Sequence, residues 1–116
     1  MRLLLDTHIL LALGRGTIGK LYPKLAKLLD AEDSVLFGST ASVWEMSIKL
    51  GIGKLELAST LPEFVDYLAD LNVTWLPVTI DHAANPAKPE PYTRDPFDRM
   101  LLAQCSIEGM RLVTVD

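Results

Sequence analysis

Met1-Arg2-Leu3-Leu4-Leu5-Asp6-Thr7-His8 opens the chain, and this stretch decides the fold. Residues 2–6 are predicted to form a short strand, because their run of leucines is as continuous as in a parallel sheet covered on both faces. Residues 7–13 are predicted to be helical. The opening therefore predicts a buried strand that passes directly into a helix, with an acidic residue at the junction.

Strands and helices alternate in the rest of the chain. Leucines at helical spacing and turn signals predict four further helices: one over about 18–31, one from Ser42 to about Leu50, one that starts at Thr60-Leu61-Pro62-Glu63 and one from Asp95 to Gly109. Strands are predicted at 34–37, 73–76 and 111–115. An extended loop is predicted over 84–94. Such alternation predicts one α/β domain with a mainly parallel sheet.

Length and composition narrow the class of protein. The chain has 116 residues, 49% of them hydrophobic and 22% charged, which predicts one globular domain with a real core. No apolar run approaches the roughly 20 residues of a membrane helix, and no signal peptide is recognisable, so a cytoplasmic location is expected. A single cysteine, Cys105, excludes an internal disulfide. The net charge of −4 does not exclude a nucleic-acid substrate, because an acidic metal site itself lowers the charge.

Four acidic residues carry the strongest functional signal: Asp6, Glu45, Asp98 and Asp116. Asp6 and Asp116 follow predicted strands, and Glu45 and Asp98 fall in the predicted first turns of helices. Ligands of parallel α/β sheets bind outside the carboxyl ends of the strands, where the following helices also begin. The four carboxylates are therefore expected at one sheet edge, with Asp95, one turn before Asp98, as an accessory.

Each acid also has an ordinary structural interpretation. Asp6 and Asp95 could cap helices, Glu45 could complete a capping box with Ser42 as the N-cap, and Asp98 could complement the helix dipole. Asp116 could be a turn residue. The joint placement of the acids, more than any one of them, favours a functional site.

A hard divalent cation explains such a cluster. Carboxylates a few ångströms apart repel one another unless a cation lies between them. Mg²⁺ and Mn²⁺ favour oxygen ligands. Zinc is disfavoured here, because the chain has only two histidines and one cysteine to provide the usual nitrogen and sulfur ligands. An acidic site of this kind fits phosphoryl chemistry, in which the metal activates water and offsets charge on the phosphate.

Other polar side chains near the acids have two interpretations each. Thr7 could orient a water at the metal or cap the helix. Arg94 and Arg99 could hold substrate phosphates or pair with the neighbouring acids. Lys49 could contact substrate, or form an ordinary salt bridge with Glu45 four residues earlier.

Three ring-bearing residues beside the acids are predicted to be structural. His8 is expected to be a hydrogen-bonding residue of the scaffold. Trp44 and Phe97 are expected in the core, although stacking against a nucleic-acid base is the alternative.

At this point the chain resembles the PIN-domain nucleases, specifically the VapC-type toxins of bacterial toxin–antitoxin pairs. The matching segments run in family order over the whole chain: Leu3-Leu4-Leu5-Asp6-Thr7-His8, Ala41-Ser42-Val43-Trp44-Glu45-Met46-Ser47-Ile48-Lys49, Gly53-Lys54-Leu55, Arg94-Asp95-Pro96-Phe97-Asp98-Arg99-Met100-Leu101-Leu102-Ala103-Gln104 and Leu112-Val113-Thr114-Val115-Asp116. The resemblance implies a three-layer α/β/α fold around a mainly parallel sheet of four to five strands.

The resemblance also implies a function. It predicts an endoribonuclease that depends on Mg²⁺ or Mn²⁺, with the acidic site at Asp6, Glu45, Asp98 and Asp116 and with Thr7 beside the metal. It further implies an RNA substrate, a cognate antitoxin whose C-terminal segment masks the site, and a homodimer. Relatives usually continue past the last motif, so either a tail beyond Asp116 is missing from this sequence or the last edge of the domain is absent.

Two rival functions remain open from the residues. In the first, the acids only receive a basic segment of a partner, and the protein is a non-catalytic binding protein. In the second, Asp6 is the nucleophile of a metal-dependent phosphatase. Phosphatases of the haloacid dehalogenase type require a second aspartate two residues later, where this chain has His8. The second alternative is therefore poorly supported.

Overall fold

The computed structural model describes residues 1–86 and 94–115. Four parallel strands form its sheet, in the order β3-β2-β1-β4. They are β1 (Arg2–Leu5), β2 (Val35–Ser39), β3 (Val73–Leu76) and β4 (Arg111–Val113). The predicted parallel α/β sheet is confirmed, and β3 has the bounds expected from the sequence.

Helices connect the strands. They are α1 (Thr7–Gly14), α2 (Ile18–Leu21), α3 (Pro23–Asp30), α4 (Thr40–Gly51), α5 (Leu61–Asp70), α6 (Ile80–Ala84) and α7 (Pro96–Glu108). Successive side chains of a strand point to opposite faces of a sheet. Accordingly Leu3 and Leu5 of β1 pack in one apolar cluster with α1, α3 and α5, whereas Leu4 packs in a second cluster with Leu101 of α7. This confirms the three-layer α/β/α arrangement.

The order of the strands locates a crevice. β1 lies between β2 and β4, so the chain builds outward from β1 to β3 and then returns to place β4 on the other side of β1. Open α/β sheets bind ligands at such a reversal of strand order, outside the carboxyl ends of the strands. The residue that follows β1 therefore stands at the most favourable position for a functional group, and that residue is Asp6.

Several predicted boundaries differ from the structure. The expected helix over 18–31 is divided into α2 and α3, because Tyr22 precedes Pro23 and adopts a non-helical conformation (φ −138°, ψ 70°). Helix α4 begins at Thr40 rather than near Ser42. Helix α6 was not predicted, and it ends at Ala84, where the loop was expected to begin.

Parts of two sequence predictions lie beyond the described residues. Most of the expected loop over 84–94 falls on 87–93, and Asp116 follows the last described residue. In residues 1–86 and 94–115, no helix combines the length and apolar character needed to span a bilayer.

Candidate active site

Asp6 lies at the carboxyl end of β1, at the reversal of strand order. Its backbone N–H donates to the carbonyl of Val113 at 3.0 Å, which ties the junction to β4. Its side chain is 6% exposed, and Oδ1 caps α1 by accepting from the backbone N–H of Ile9 at 2.9 Å. Asp6 is thus the helix cap that the sequence allowed. Its Oδ2 has no hydrogen-bond partner among the residues that the structure describes, so one carboxylate oxygen remains available for a ligand.

Thr7 joins the start of α1 to Glu45 of α4. The Thr7 hydroxyl donates to Glu45 Oε1 at 2.6 Å, across 38 positions of sequence. Thr7 is the first residue of α1 and not its cap. Because Thr7 follows Asp6 directly, this hydrogen bond brings the Glu45 carboxylate to the same junction as Asp6, as the acid-cluster prediction required.

The N-terminus of α4 differs from the predicted one. Ser39, the last residue of β2, is the N-cap, and its Oγ accepts from the backbone N–H of Ala41 at 3.0 Å. Ser42 is therefore inside the helix, and its predicted capping box with Glu45 is wrong. Glu45 stands in the second turn rather than the first. Its carboxylate contacts Thr7 instead of the backbone at the helix start.

Lys49 forms the salt bridge with Glu45 that its spacing suggested. Lys49 Nζ lies 2.7 Å from Glu45 Oε2, and the two side chains are 37% and 13% exposed. Thus one oxygen of Glu45 faces a hydroxyl and the other faces an ammonium group. A positive charge already lies beside the Glu45 carboxylate, at the border between the site and solvent.

The start of α7 carries the second predicted acidic group. Asp95 is its N-cap, and Oδ1 accepts from the backbone N–H groups of Phe97 and Asp98 at 2.8 and 3.2 Å. Asp98 lies in the first turn of α7, as predicted. Arg94 is exposed just before the cap, and Arg99 is partly buried one residue after Asp98.

The described residues bring only part of the predicted acidic site together. Within 1–86 and 94–115, no group of three or more His, Cys, Asp or Glu side chains has the spacing to hold a metal ion. Asp6 and Glu45 meet through Thr7, but Asp98 does not complete a three-residue group with them. Mutual repulsion keeps carboxylates apart when no cation lies between them.

The donor set nevertheless fits a hard divalent ion. Asp6 offers a carboxylate oxygen that no described residue bonds, and the next residue, Thr7, holds the Glu45 carboxylate by a hydrogen bond. The Thr7 hydroxyl adds a further oxygen atom, and Ser42, three residues before Glu45, has a buried Oγ that bonds no partner among the described residues. An all-oxygen environment suits Mg²⁺ or Mn²⁺ and not zinc.

The aromatic residues beside the acids line a surface cavity. Trp44 is 64% exposed, so the prediction that it lies in the core is wrong; Phe97 is partly buried. The two rings meet edge to face with centroids 5.6 Å apart. They line a cavity of about 410 Å³ together with Thr40, Ala41, Val78, Pro96 and Met100. His8 is exposed near the start of α1.

Sequence reasoning missed two features of this region. The buried hydroxyl of Ser42 was taken for a helix cap, although Ser39 precedes it with equal capping ability. The exposure of Trp44 had no sequence signal, because Trp44, Ile48 and the C-cap residue Ile52 recur every four residues, a spacing that is typical of a buried stripe. All three are exposed, at 64%, 39% and 61%.

The structure defines an α/β/α protein with Asp6 at the reversal of strand order in a parallel sheet. The model of the PIN domain matches residues 3–116. The chain therefore belongs to the PIN-domain family, as its sequence motifs indicated. PIN domains are generally nucleases, and such nucleases generally need divalent metal ions.

Comparison with solved structures agrees on the fold. The chain is similar to a chain in the crystal structure of VapBC2 from Rickettsia felis bound to a DNA fragment from their promoter. The TM-score is 0.66 at 15% sequence identity, and the match covers 100% of this chain and 89% of that one. No curated protein sequence matches the chain.

Proposed function

We propose that this protein is a Mg²⁺- or Mn²⁺-dependent endoribonuclease that acts as the toxin of a toxin–antitoxin pair. Asp6, Glu45, Asp98 and Asp116 are the proposed acidic residues of its site, and Thr7 and Asp95 are accessory residues. The observation that carries the proposal is the junction after β1. There Asp6 has a carboxylate oxygen that no described residue bonds, and the next residue, Thr7, holds the Glu45 carboxylate at the reversal of strand order.

The bound ion would supply an activated water and offset charge on the phosphate. The chain's own groups set the geometry around it. Thr7 fixes one oxygen of Glu45 by a 2.6 Å hydrogen bond, and capping of α1 fixes one oxygen of Asp6. Fixing these two oxygens lowers the conformational cost of binding a cation. The acid cluster also provides the bases that accept a proton from the attacking water.

Basic residues around the acids are the proposed contacts to RNA phosphates. Arg94 lies exposed before the cap of α7, and Arg99 follows Asp98 in the same helix. Lys49 is 37% exposed beside Glu45. Guanidinium groups match phosphate oxygens in a bidentate manner, and lysine acts as a point charge. These three residues would hold the substrate backbone at the acidic site, and the protein's net charge of −4 makes such local contacts necessary.

A cognate antitoxin is the proposed protein partner. The resemblance to VapC-type toxins implies such a partner, and the present chain shares over 100% of its residues the fold of a chain in the structure of VapBC2 bound to promoter DNA. An acidic site is complementary to a basic peptide segment, so an antitoxin segment rich in arginine would mask the carboxylates.

A homodimer is the second proposed assembly. Exposed apolar side chains that are contiguous mark protein contact sites. Trp44 and Ile48 of α4 and its C-cap residue Ile52 form such a stripe, and Ile80 at the start of α6 is 86% exposed. An exposed apolar stripe suits a two-fold interface, in which each copy contributes the same surface.

Replacement of Asp6 with asparagine tests the proposed activity. Asparagine also caps helices, so the fold is expected to survive while the negative charge at the site is lost. RNA cleavage should require Mg²⁺ or Mn²⁺, should stop in EDTA, and should be abolished by Asp6→Asn. The product ends should be a 5′-phosphate and a 3′-hydroxyl.

The matched control is Asp66→Asn, which changes an exposed aspartate on α5. It should cleave RNA like the wild type. Undiminished cleavage by Asp6→Asn would contradict the proposed role of Asp6 in RNA cleavage. A wild-type protein with neither cleavage nor Mn²⁺ binding would leave the alternative, a non-catalytic protein whose acidic groove receives a basic partner segment.

A further inference from the structure

Ser42 carries a buried hydroxyl without a hydrogen-bond partner. The residue is 1% exposed, and its Oγ makes no hydrogen bond in the described part of the chain. Among the described residues only one other buried side-chain atom shares this condition, Oε1 of Gln104. The amide nitrogen of Gln104 lies 3.4 Å from Nδ1 of His82, which places Gln104 in a separate polar network.

An unpartnered buried hydroxyl is unusual and calls for a partner. Leaving such a group unsatisfied costs free energy comparable to a lost hydrogen bond, and native proteins supply protein atoms, water or a ligand instead. A serine inside a helix can satisfy itself by bonding a backbone carbonyl one turn earlier. Ser42 makes no such bond among the described residues, so a group that is not part of the chain, such as a water molecule, would have to satisfy its hydroxyl.

The fold puts Ser42 on the face of α4 that looks onto the acidic site. Leu5 pairs with Gly38 in the sheet, so Asp6 and Ser39 are the next residues on adjacent strands. Ser42 follows Ser39 by three residues and precedes Glu45 by three, and residues three apart share a helix face. Because Glu45 reaches Thr7 from that face, Ser42 faces the same junction one turn nearer the sheet edge.

We infer that the Ser42 hydroxyl is an outer-shell hydrogen-bonding group for a divalent cation held by Asp6 and Glu45. This inference rests on the proposed function and deepens it by adding a positioning residue. A hydroxyl both donates and accepts, so it can hold a water of the cation's hydration shell while the carboxylates supply the charge. Groups that orient a metal's ligands from outside contribute strongly to affinity.

Titration of the purified protein with Mn²⁺ in a calorimeter tests the inference. Ser42→Ala should bind Mn²⁺ roughly 10–100-fold more weakly than the wild type, the usual effect of removing such a group. Ser47→Ala is the matched control, since Ser47 lies on the same helix and is exposed. It should bind like the wild type.

Urea unfolding in EDTA provides the second measurement. In EDTA, Ser42→Ala should be as stable as the wild type or more stable, because the mutation removes a hydroxyl that lacks a partner. Weak binding together with unchanged stability supports the inference.

Equal Mn²⁺ affinity in Ser42→Ala and the wild type would overturn the inference and leave the proposed function intact. A loss of stability in EDTA that matches the loss of affinity would also overturn it, because Ser42 would then be structural. A wild-type protein that does not bind Mn²⁺ would instead overturn the proposed function itself.

Discussion

Replacing Thr7 with valine removes the hydroxyl that donates to Glu45 Oε1 at 2.6 Å and keeps nearly the same shape. Thr7 is 5% exposed, so water does not replace the lost donor freely. Valine is also β-branched, so the change in helix propensity at this position is small. The substitution therefore isolates the hydrogen bond that joins α1 to α4.

The size of the effect follows from the charge of the acceptor. Hydrogen bonds to charged groups contribute about 1.5–3 kcal/mol, more than neutral pairs. Glu45 retains its contact with Lys49 at 2.7 Å, which favours the lower half of that range. At a urea dependence of about 1–3 kcal/mol per molar, the midpoint of unfolding should fall by roughly 1 M.

Urea unfolding in EDTA, followed by circular dichroism, measures the change without a contribution from bound metal. Thr74→Val is the control, because Thr74 is exposed on β3, where valine is well tolerated. Thr7→Ser should retain more of the stability, since it keeps the hydroxyl. If Thr7→Val and Thr74→Val unfold at the same urea concentration as the wild type, the hydrogen bond does not hold the site together.

Three further predictions concern pH, thiol reactivity and assembly. Hydrogen bonds from the Thr60 side chain and, to a smaller extent, the Thr60 backbone lower the pKa of Glu63 from its usual 4.5. The stability that this capping box contributes is therefore present above pH 4.5 and is lost as the pH falls through the lowered pKa. The free energy of unfolding of Glu63→Gln should depend less on acid pH than that of the wild type. Burial raises the pKa of the Cys105 thiol to about 11. The native thiol should therefore react slowly with Ellman's reagent at pH 8 and rapidly in urea. Equal rates in the two conditions would contradict the burial of this thiol. Ile48→Asp should convert the proposed homodimer to a monomer in light-scattering measurements, and an exposed-site control, Ser47→Asp, should not.

Local sequence chemistry predicted the elements whose ends are set by adjacent residues. Asp95 followed by Pro96 fixed the start of α7, since an aspartate cap and a proline in the first turn both favour that position. Gly109 ended the same helix by adopting φ 66°, which glycine allows without strain. Thr60 and Glu63 form the capping box that starts α5. In each case, the deciding atoms lie within one helical turn.

Tertiary contacts decided what the sequence did not predict. Both Ser39 and Ser42 can cap a helix, and the extension of β2 to Ser39 selected the first. Helix α6 has only five residues, and its buried His82 pairs with Glu108 at 2.8 Å, 26 residues later. No short pattern reveals such a contact. The acid site was predictable in part, because Asp6 and Glu45 lie on different elements that only strand order and the Thr7 hydrogen bond bring together.

A crystal grown with Mn²⁺ tests whether Asp6 and Glu45 hold a divalent cation, because the anomalous signal of manganese locates the ion without assumptions about activity. We expect a peak at the carboxyl end of β1, within coordination distance of Asp6 Oδ2 and next to the Glu45 carboxylate, with Asp98 drawn toward it. A peak at another place on the surface, or none at Mn²⁺ concentrations that support RNA cleavage, would contradict the proposed metal site.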